Sequence, residues 1–213
     1  MAGRSERVAL LADAAIALLA EHGARGLTHR AVDARAGLPL GTTSAYLRTR
    51  RALLEAVIRR LVELDLADLA ERQLPTGELA RPTTPLGPAD LDALAHATGA
   101  VLDHWLSVGR DRTLARYACL LEASYAPELR PVLSFGIRLR TEARELLARA
   151  GAPDPDRRGA QLVAFVDGLL FDRLVGSGSL SAPPPGSAES RADLTDAVRT
   201  LLHAMLTPTA PGG

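Results

Sequence analysis

The side chains best suited to chemistry in this chain lie close together near its start. Thr42, Thr43, Ser44 and Tyr46 follow a turn formed by Gly37, Leu38 and Pro39, and Arg48 and Arg50 come directly after them. Hydroxyl groups exchange hydrogen bonds with base edges and guanidinium groups pair with phosphates, so this grouping suits reading a nucleic acid rather than breaking a bond. Elsewhere the reactive groups are scattered. The five histidines include one pair two turns apart, His96 and His104, with Asp92 or Asp103 as the local third candidate. A metal ordinarily needs a third ligand beside such a pair, and no metal site is expected. Asp167 and Asp172 on an apolar stretch read as one bundle-facing acid and one paired with an arginine such as Arg173 or Arg199. No nucleophile elbow, phosphate-binding glycine loop or dinucleotide fingerprint occurs, so neither enzyme activity nor a cofactor is expected. Cys119 is the only cysteine, which excludes an intrachain disulfide and a cysteine-built metal cage.

Two short helices must position the hydroxyl cluster. Thr28 is an N-cap type and opens a helix to about Arg35; Gly37 breaks it, and a second helix is expected from about Leu40 to Leu47. That is a helix-turn-helix, in which the exposed residues after the turn enter the major groove. An amphipathic helix precedes it from about Ser5 to His22, with Leu11, Ala15, Leu18 and Leu19 at helical spacing and Gly23 at its end. A long helix from about Arg50 to Gln73 follows. Pro75 to Pro88 reads as a loop, and further helices are expected from Asp90 to Gly109, Asp111 to Tyr125, Pro127 to Gly151, Asp156 to Val175 and Arg191 to Leu206. The stretch from Gly176 to Ser187 reads as a linker. No alternating strand pattern is present, so the expected fold class is all-α.

Composition agrees with packed helices. Of 213 residues, 47% are hydrophobic but only 3% aromatic, so the core must be built from Leu, Ala and Val. All 25 basic residues are arginine, and they balance 25 acids. The zero net charge hides a polarity: residues 1 to 60 hold ten arginines against five acids, and the remainder holds fifteen against twenty. A basic head on an acidic body concentrates attraction for phosphate at one end. No leader and no apolar run long enough to span a bilayer is seen, so a cytoplasmic location with no membrane partner is expected.

From Arg7 to Leu61 the sequence resembles the DNA-binding domain of TetR/AcrR-type transcriptional regulators. The match rests on Ala14, Ala15, Leu18, Gly23, Thr28, Val32, Ala36, Gly37, Leu38, Gly41, Thr42, Tyr46, Arg50, Leu53 and Leu54. Three positions depart from the pattern: Asp33 stands where alanine is usual, Ser44 where an aromatic is usual, and Leu47 where phenylalanine is usual. The resemblance implies a bacterial, ligand-responsive regulator with a three-helix head, residues 1–50, and a helical effector-binding and dimerisation domain, residues 51–213. Its partners would be a double-stranded DNA operator, a second copy of the chain and a small apolar or amphipathic effector, most simply as a repressor released from a palindrome. The DNA-binding residues so implied are Thr28, His29, Arg30, Leu40, Gly41, Thr42, Thr43, Ser44, Tyr46, Arg48 and Arg50.

Two further sites follow from the second domain. Its aromatic residues and the far half of the long helix suggest an effector site of Leu61, Leu64, Val101, His104, Trp105, Tyr117, Tyr125, Phe135 and Phe165, since small-molecule sites are mostly apolar with a few placed polar groups. The last two helices suggest a dimer contact of Phe165, Gly168, Leu169, Leu194, Val198, Leu201, Leu202 and Met205, paired as a four-helix bundle. Two other readings compete: an all-helical small-molecule-binding enzyme or carrier with a helix-turn-helix interaction module, and an effector-independent dimeric DNA-binding protein. A polar catalytic constellation in the second domain would favour the first, and a closed core there the second.

Overall fold

The computed structural model describes residues 2–72, 74, 84–125 and 135–207. Among these every regular element is helical. The helices are α1 (Ala2–Gly26), α2 (His29–Arg35), α3 (Thr42–Tyr46), α4 (Arg50–Glu71), α5 (Pro88–Leu106), α6 (Arg110–Tyr125), α7 (Phe135–Arg149), α8 (Pro155–Val175) and α9 (Ala188–Leu206). The expected elements are present with shifted ends. α1 breaks at Gly23, where φ is 62°, and runs one more turn to Gly26. α3 is shorter than expected, starting at Thr42 rather than Leu40. Part of the expected linker is a short 3-10 helix, Ser177–Leu180. Most of the loop read at Pro75 to Pro88, and the start read for α7 at Pro127, lie outside the described residues.

By internal packing the chain divides into two compact units, residues 1–66 with 109–135, and residues 67–108 with 136–213. The first, called the head here, takes in α6. Leu11, Leu18 and Leu19 of α1, Leu27, Val32 of α2, and Leu53, Val57 and Leu61 of α4 are all at most 7% exposed and form one core with Ala115 and Cys119 of α6. Burying each of these leucines and valines is worth about 1.5–3 kcal/mol, so α6 is a structural part of the head. Asp65 and Arg116 form an ion pair of 2.5 Å there, between side chains 4% and 17% exposed.

In the second unit α5 and α9 pack along each other. Gly99 makes this possible, because a Cβ there would come within 2.8 Å of the backbone nitrogen of Thr195. The start of α9 is pinned by Asp103, which is buried and accepts hydrogen bonds from Ser190 Oγ at 2.6 Å and from the Gly186 amide at 2.8 Å. Arg199 joins the same two helices, pairing with Asp92 at 2.7 Å; that hydrogen bond holds the Asp92 carboxyl below its usual range.

Candidate functional site

The helix-turn-helix is built around α2. Thr28 caps it, its hydroxyl accepting from the Ala31 amide at 3.1 Å. Gly37 and Gly41 carry the chain through the turn with φ of 65° and 89°, values that L side chains rarely adopt. Two residues of α2 one turn apart, His29 and Asp33, then grip both ends of α3. His29 Nε2 lies 2.6 Å from the carbonyl oxygen of Leu47; a carbonyl only accepts, so the imidazole donates. At the other end the Asp33 carboxylate accepts from the Gly41 amide at 2.8 Å, the Thr43 amide at 2.7 Å and the Thr43 hydroxyl at 2.5 Å. Burial alone would raise the Asp33 carboxyl; the bonds from Thr43 and Gly41, with His29 nearby, outweigh it and hold it below its ordinary range. α3 has five residues and no acid in its first turn, so this borrowed carboxylate supplies the cap it lacks.

This geometry revises several of the expected DNA contacts. Thr43 was expected to be exposed; it is fully buried, because its hydroxyl and amide are spent on Asp33. His29 is spent on Leu47, and Thr42 donates its hydroxyl to the Pro39 carbonyl at 2.6 Å. Ser44 is exposed, Leu40 is 72% exposed, and Arg30 and Arg48 are exposed with no carboxylate partner among the described residues. Tyr46 is half-buried. Arg50, expected on a phosphate, is instead a tie within the head. Its guanidinium donates to the carbonyls of Leu27 and Ala24, both at 2.8 Å, and pairs with Glu122 of α6 at 2.9 Å. Arg50→Ala is therefore expected to cost the head about 1–2 kcal/mol in a thermal melt. Arg48→Ala is expected to leave the melt unchanged and to lower the salt dependence of DNA binding by about one ion per head. Equal melts for the two variants would refute the structural role of Arg50.

The residues read as an effector site fall in different places. Val101 and Trp105 pack with Leu69, Leu74, Leu94 and Ala97 in the second unit. Beside them Asp68, itself buried, accepts from the Trp105 indole nitrogen at 3.0 Å and lies 3.4 Å from His104 Nε2. Leu61 and Leu64 instead belong to the core of the head. Tyr117 is half-buried on α6 and Tyr125 is 86% exposed, both in the head. Phe165 is exposed on α8, and the side chain of Phe135 lies outside the described residues.

The residues read as a dimer contact also divide. Leu194, Val198, Leu202 and Met205 are at most 3% exposed within the single chain. The packing of α9 along α5 uses that stripe before a partner can, which corrects the expectation for these four. Leu201 and Leu169 are half-buried. On α8, Ala164, Gly168, Phe171 and Val175 follow at intervals of four, three and four residues and are all exposed, with Phe165 alongside. Such spacing puts them in one strip. Among the described residues nothing lies within 4 Å of a Cβ built on Gly168.

Other candidates for chemistry are occupied. Burial pushes the Cys119 thiol up to about 12, helped by the Glu122 carboxylate, so it is no nucleophile. Asp172 accepts from the Gly178 amide at 3.2 Å, while Arg173 pairs with Asp193 of α9. Among the described residues no cluster of three or more His, Cys, Asp or Glu is arranged to hold a metal, and no helix is long and apolar enough to cross a membrane.

Residues 89–207 match the tetracyclin repressor-like C-terminal domain family. Among solved structures, a transcriptional regulator from Rhodococcus sp. Rha1 is 26% identical with a TM-score of 0.69, over 95% of each chain. A TetR-family member from Streptomyces coelicolor A3 is 26% identical with a TM-score of 0.66, over 96% of this chain and 99% of that one. The multidrug-binding protein EbrR, complexed with ethidium, is 27% identical with a TM-score of 0.62, over 96% of this chain and 99% of that one. No curated protein matches.

Proposed function

This chain belongs to the tetracyclin repressor-like, or TetR, family of transcriptional regulators, and from that premise we propose that it is a homodimeric, cytoplasmic repressor that leaves a palindromic operator when a small apolar or amphipathic molecule binds. The observation that carries the DNA-binding part is the two-ended grip of α2 on α3. A helix of five residues has little stability of its own, and holding it by His29 and Asp33 makes sense where its exposed residues must meet a rigid partner in register. Ser44 and Leu40 then face the bases, and Arg30 and Arg48 the phosphates. Two such heads, joined through the open strip of α8, ask for two half-sites spaced by about one turn of DNA, ~10 bp, or more.

Selection of bound duplexes from a random pool tests this. An inverted repeat is the expected product, and a chain that stays monomeric at micromolar concentration in sedimentation, with and without the selected DNA, refutes it.

The effector belongs near Val101, His104 and Trp105, where an apolar group meets the Asp68 carboxylate. An effector releases DNA only by its differential affinity for the two states, and the coupling must be reciprocal. Trp105 is the only tryptophan and so reports on this region. A compound that releases DNA is expected to change its fluorescence. Trp105→Phe is expected to weaken that compound while leaving effector-free DNA affinity within about threefold. A collapse of effector-free binding in the variant would mean that the indole serves the fold and the effector lies elsewhere.

A further inference from the structure

One basic residue of the head has an arrangement that the helix-turn-helix pattern does not contain. Arg4, in the first turn of α1, holds its guanidinium carbon 5.6 Å from the centroid of the Tyr46 ring. Tyr46 is the last residue of α3, so this contact brings together the start of α1 and the end of α3, which are far apart in sequence. Arg4 is exposed and has no carboxylate partner among the described residues. Five other arginines of the head are held by carboxylates: Arg35 by Glu21, Arg50 by Glu122, Arg51 by Glu55, Arg60 by Asp13 and Arg116 by Asp65.

We propose that Arg4 is a DNA-phosphate contact, held at the end of the recognition helix by the ring of Tyr46. The proposal rests on the DNA-binding reading and adds to it a residue outside the helix-turn-helix. An aromatic face orients a guanidinium by attracting its charge while leaving the N–H edge free to donate, and that edge fits two phosphate oxygens. A helix in the major groove is bordered by a phosphate strand at each end. A cation stacked on the last residue of α3 meets one of those strands without entering the groove. Arg4 therefore adds affinity and register and carries no sequence preference. A five-residue helix offers few residues of its own to reach both strands, which gives the contact its use.

The test compares Arg4→Ala, Arg4→Lys and Tyr46→Leu in the full chain, against the duplex selected by the wild type, at several salt concentrations. Arg4→Ala is expected to melt like the wild type, to bind every duplex more weakly, and to show a log-affinity against log-salt slope smaller by about one per head. Arg4→Lys restores the slope but only part of the affinity, since an ammonium keeps the charge and lacks the flat fork. In the Tyr46→Leu background, removing Arg4 costs less than it does with the ring present. An unchanged slope and affinity in Arg4→Ala overturns the proposal, as does a change in which bases are preferred. If Arg48→Ala weakens binding normally while Arg4→Ala does nothing, this proposal alone falls; a wild-type chain with no duplex affinity brings down the DNA-binding reading and the proposal together.

Discussion

Asp33→Asn is expected to melt well below the wild type and to bind DNA at least tenfold more weakly, although the two side chains have the same shape. Both oxygens of Asp33 act as acceptors: Oδ2 takes the Gly41 amide, and Oδ1 takes the Thr43 amide and hydroxyl. An asparagine keeps one acceptor and turns the other position into a donor, which then faces a backbone N–H. Because the group is only 1% exposed, water cannot repair the mismatch. Leaving one buried donor unmatched and setting two donors against each other costs about 2–4 kcal/mol, a large share of what holds a small head together. Thr43→Val removes only the hydroxyl bond and is expected to cost about 1 kcal/mol. A melt of Asp33→Asn that overlays the wild type would show that the carboxylate does not hold α3.

The same carboxylate sets a pH dependence. Its folded value lies below its ordinary one, so the charged form is favoured by folding. The contribution is complete above the ordinary carboxylate range, declines as pH falls below it, and is gone once pH has passed through the lower folded value. Thermal melts of the wild type taken downward from pH 6 should show this loss, and Asp33→Asn should lack that part of it.

Gly168→Arg is expected to separate the dimer while leaving each chain as stable as before or more so. Glycine inside a helix costs about 1 kcal/mol relative to alanine, and among the described residues no atom lies within 4 Å of a side chain begun at this position. A long cation in the middle of the exposed strip of Ala164, Phe171 and Val175 stands where a partner helix would pack. Burying that charge unpaired costs several kcal/mol, so the dimer dissociation constant should rise by at least a hundredfold. Affinity for a palindrome should fall, and binding to a single half-site should persist. Leu202→Arg gives the contrast: Leu202 is 3% exposed within its own chain, so that variant is expected to unfold the second unit rather than merely dissociate the dimer. Sedimentation and thermal melting of both variants check this, and a Gly168→Arg protein with wild-type dimer affinity would move the interface elsewhere.

The helical class, the order of the helices and the place of the helix-turn-helix are all legible in the sequence. These signals are local: the Thr28 cap, the glycines at positions 37 and 41, and the apolar spacing of α1 and α4 act within a turn or two of chain, where a residue's neighbours in sequence are also its neighbours in space. The roles of individual polar residues are not legible in the same way. Asp33 stands out only as a departure from a familiar pattern, and its spacing of four from His29 is the one available sign that both face α3. Arg50 looks like a phosphate ligand because it is basic and beside the motif, yet the carbonyls of Ala24 and Leu27 and the carboxylate of Glu122 claim it. Tertiary packing likewise selects which apolar stripe stays open. α8 and α9 both carry one, but α5 presents Gly99 to Thr195 and covers the stripe of α9, while that of α8 keeps Phe165, Gly168 and Val175 exposed. Amphipathic spacing tells that a face will be buried; only the packing of helices distant in sequence decides whether its own chain or another buries it.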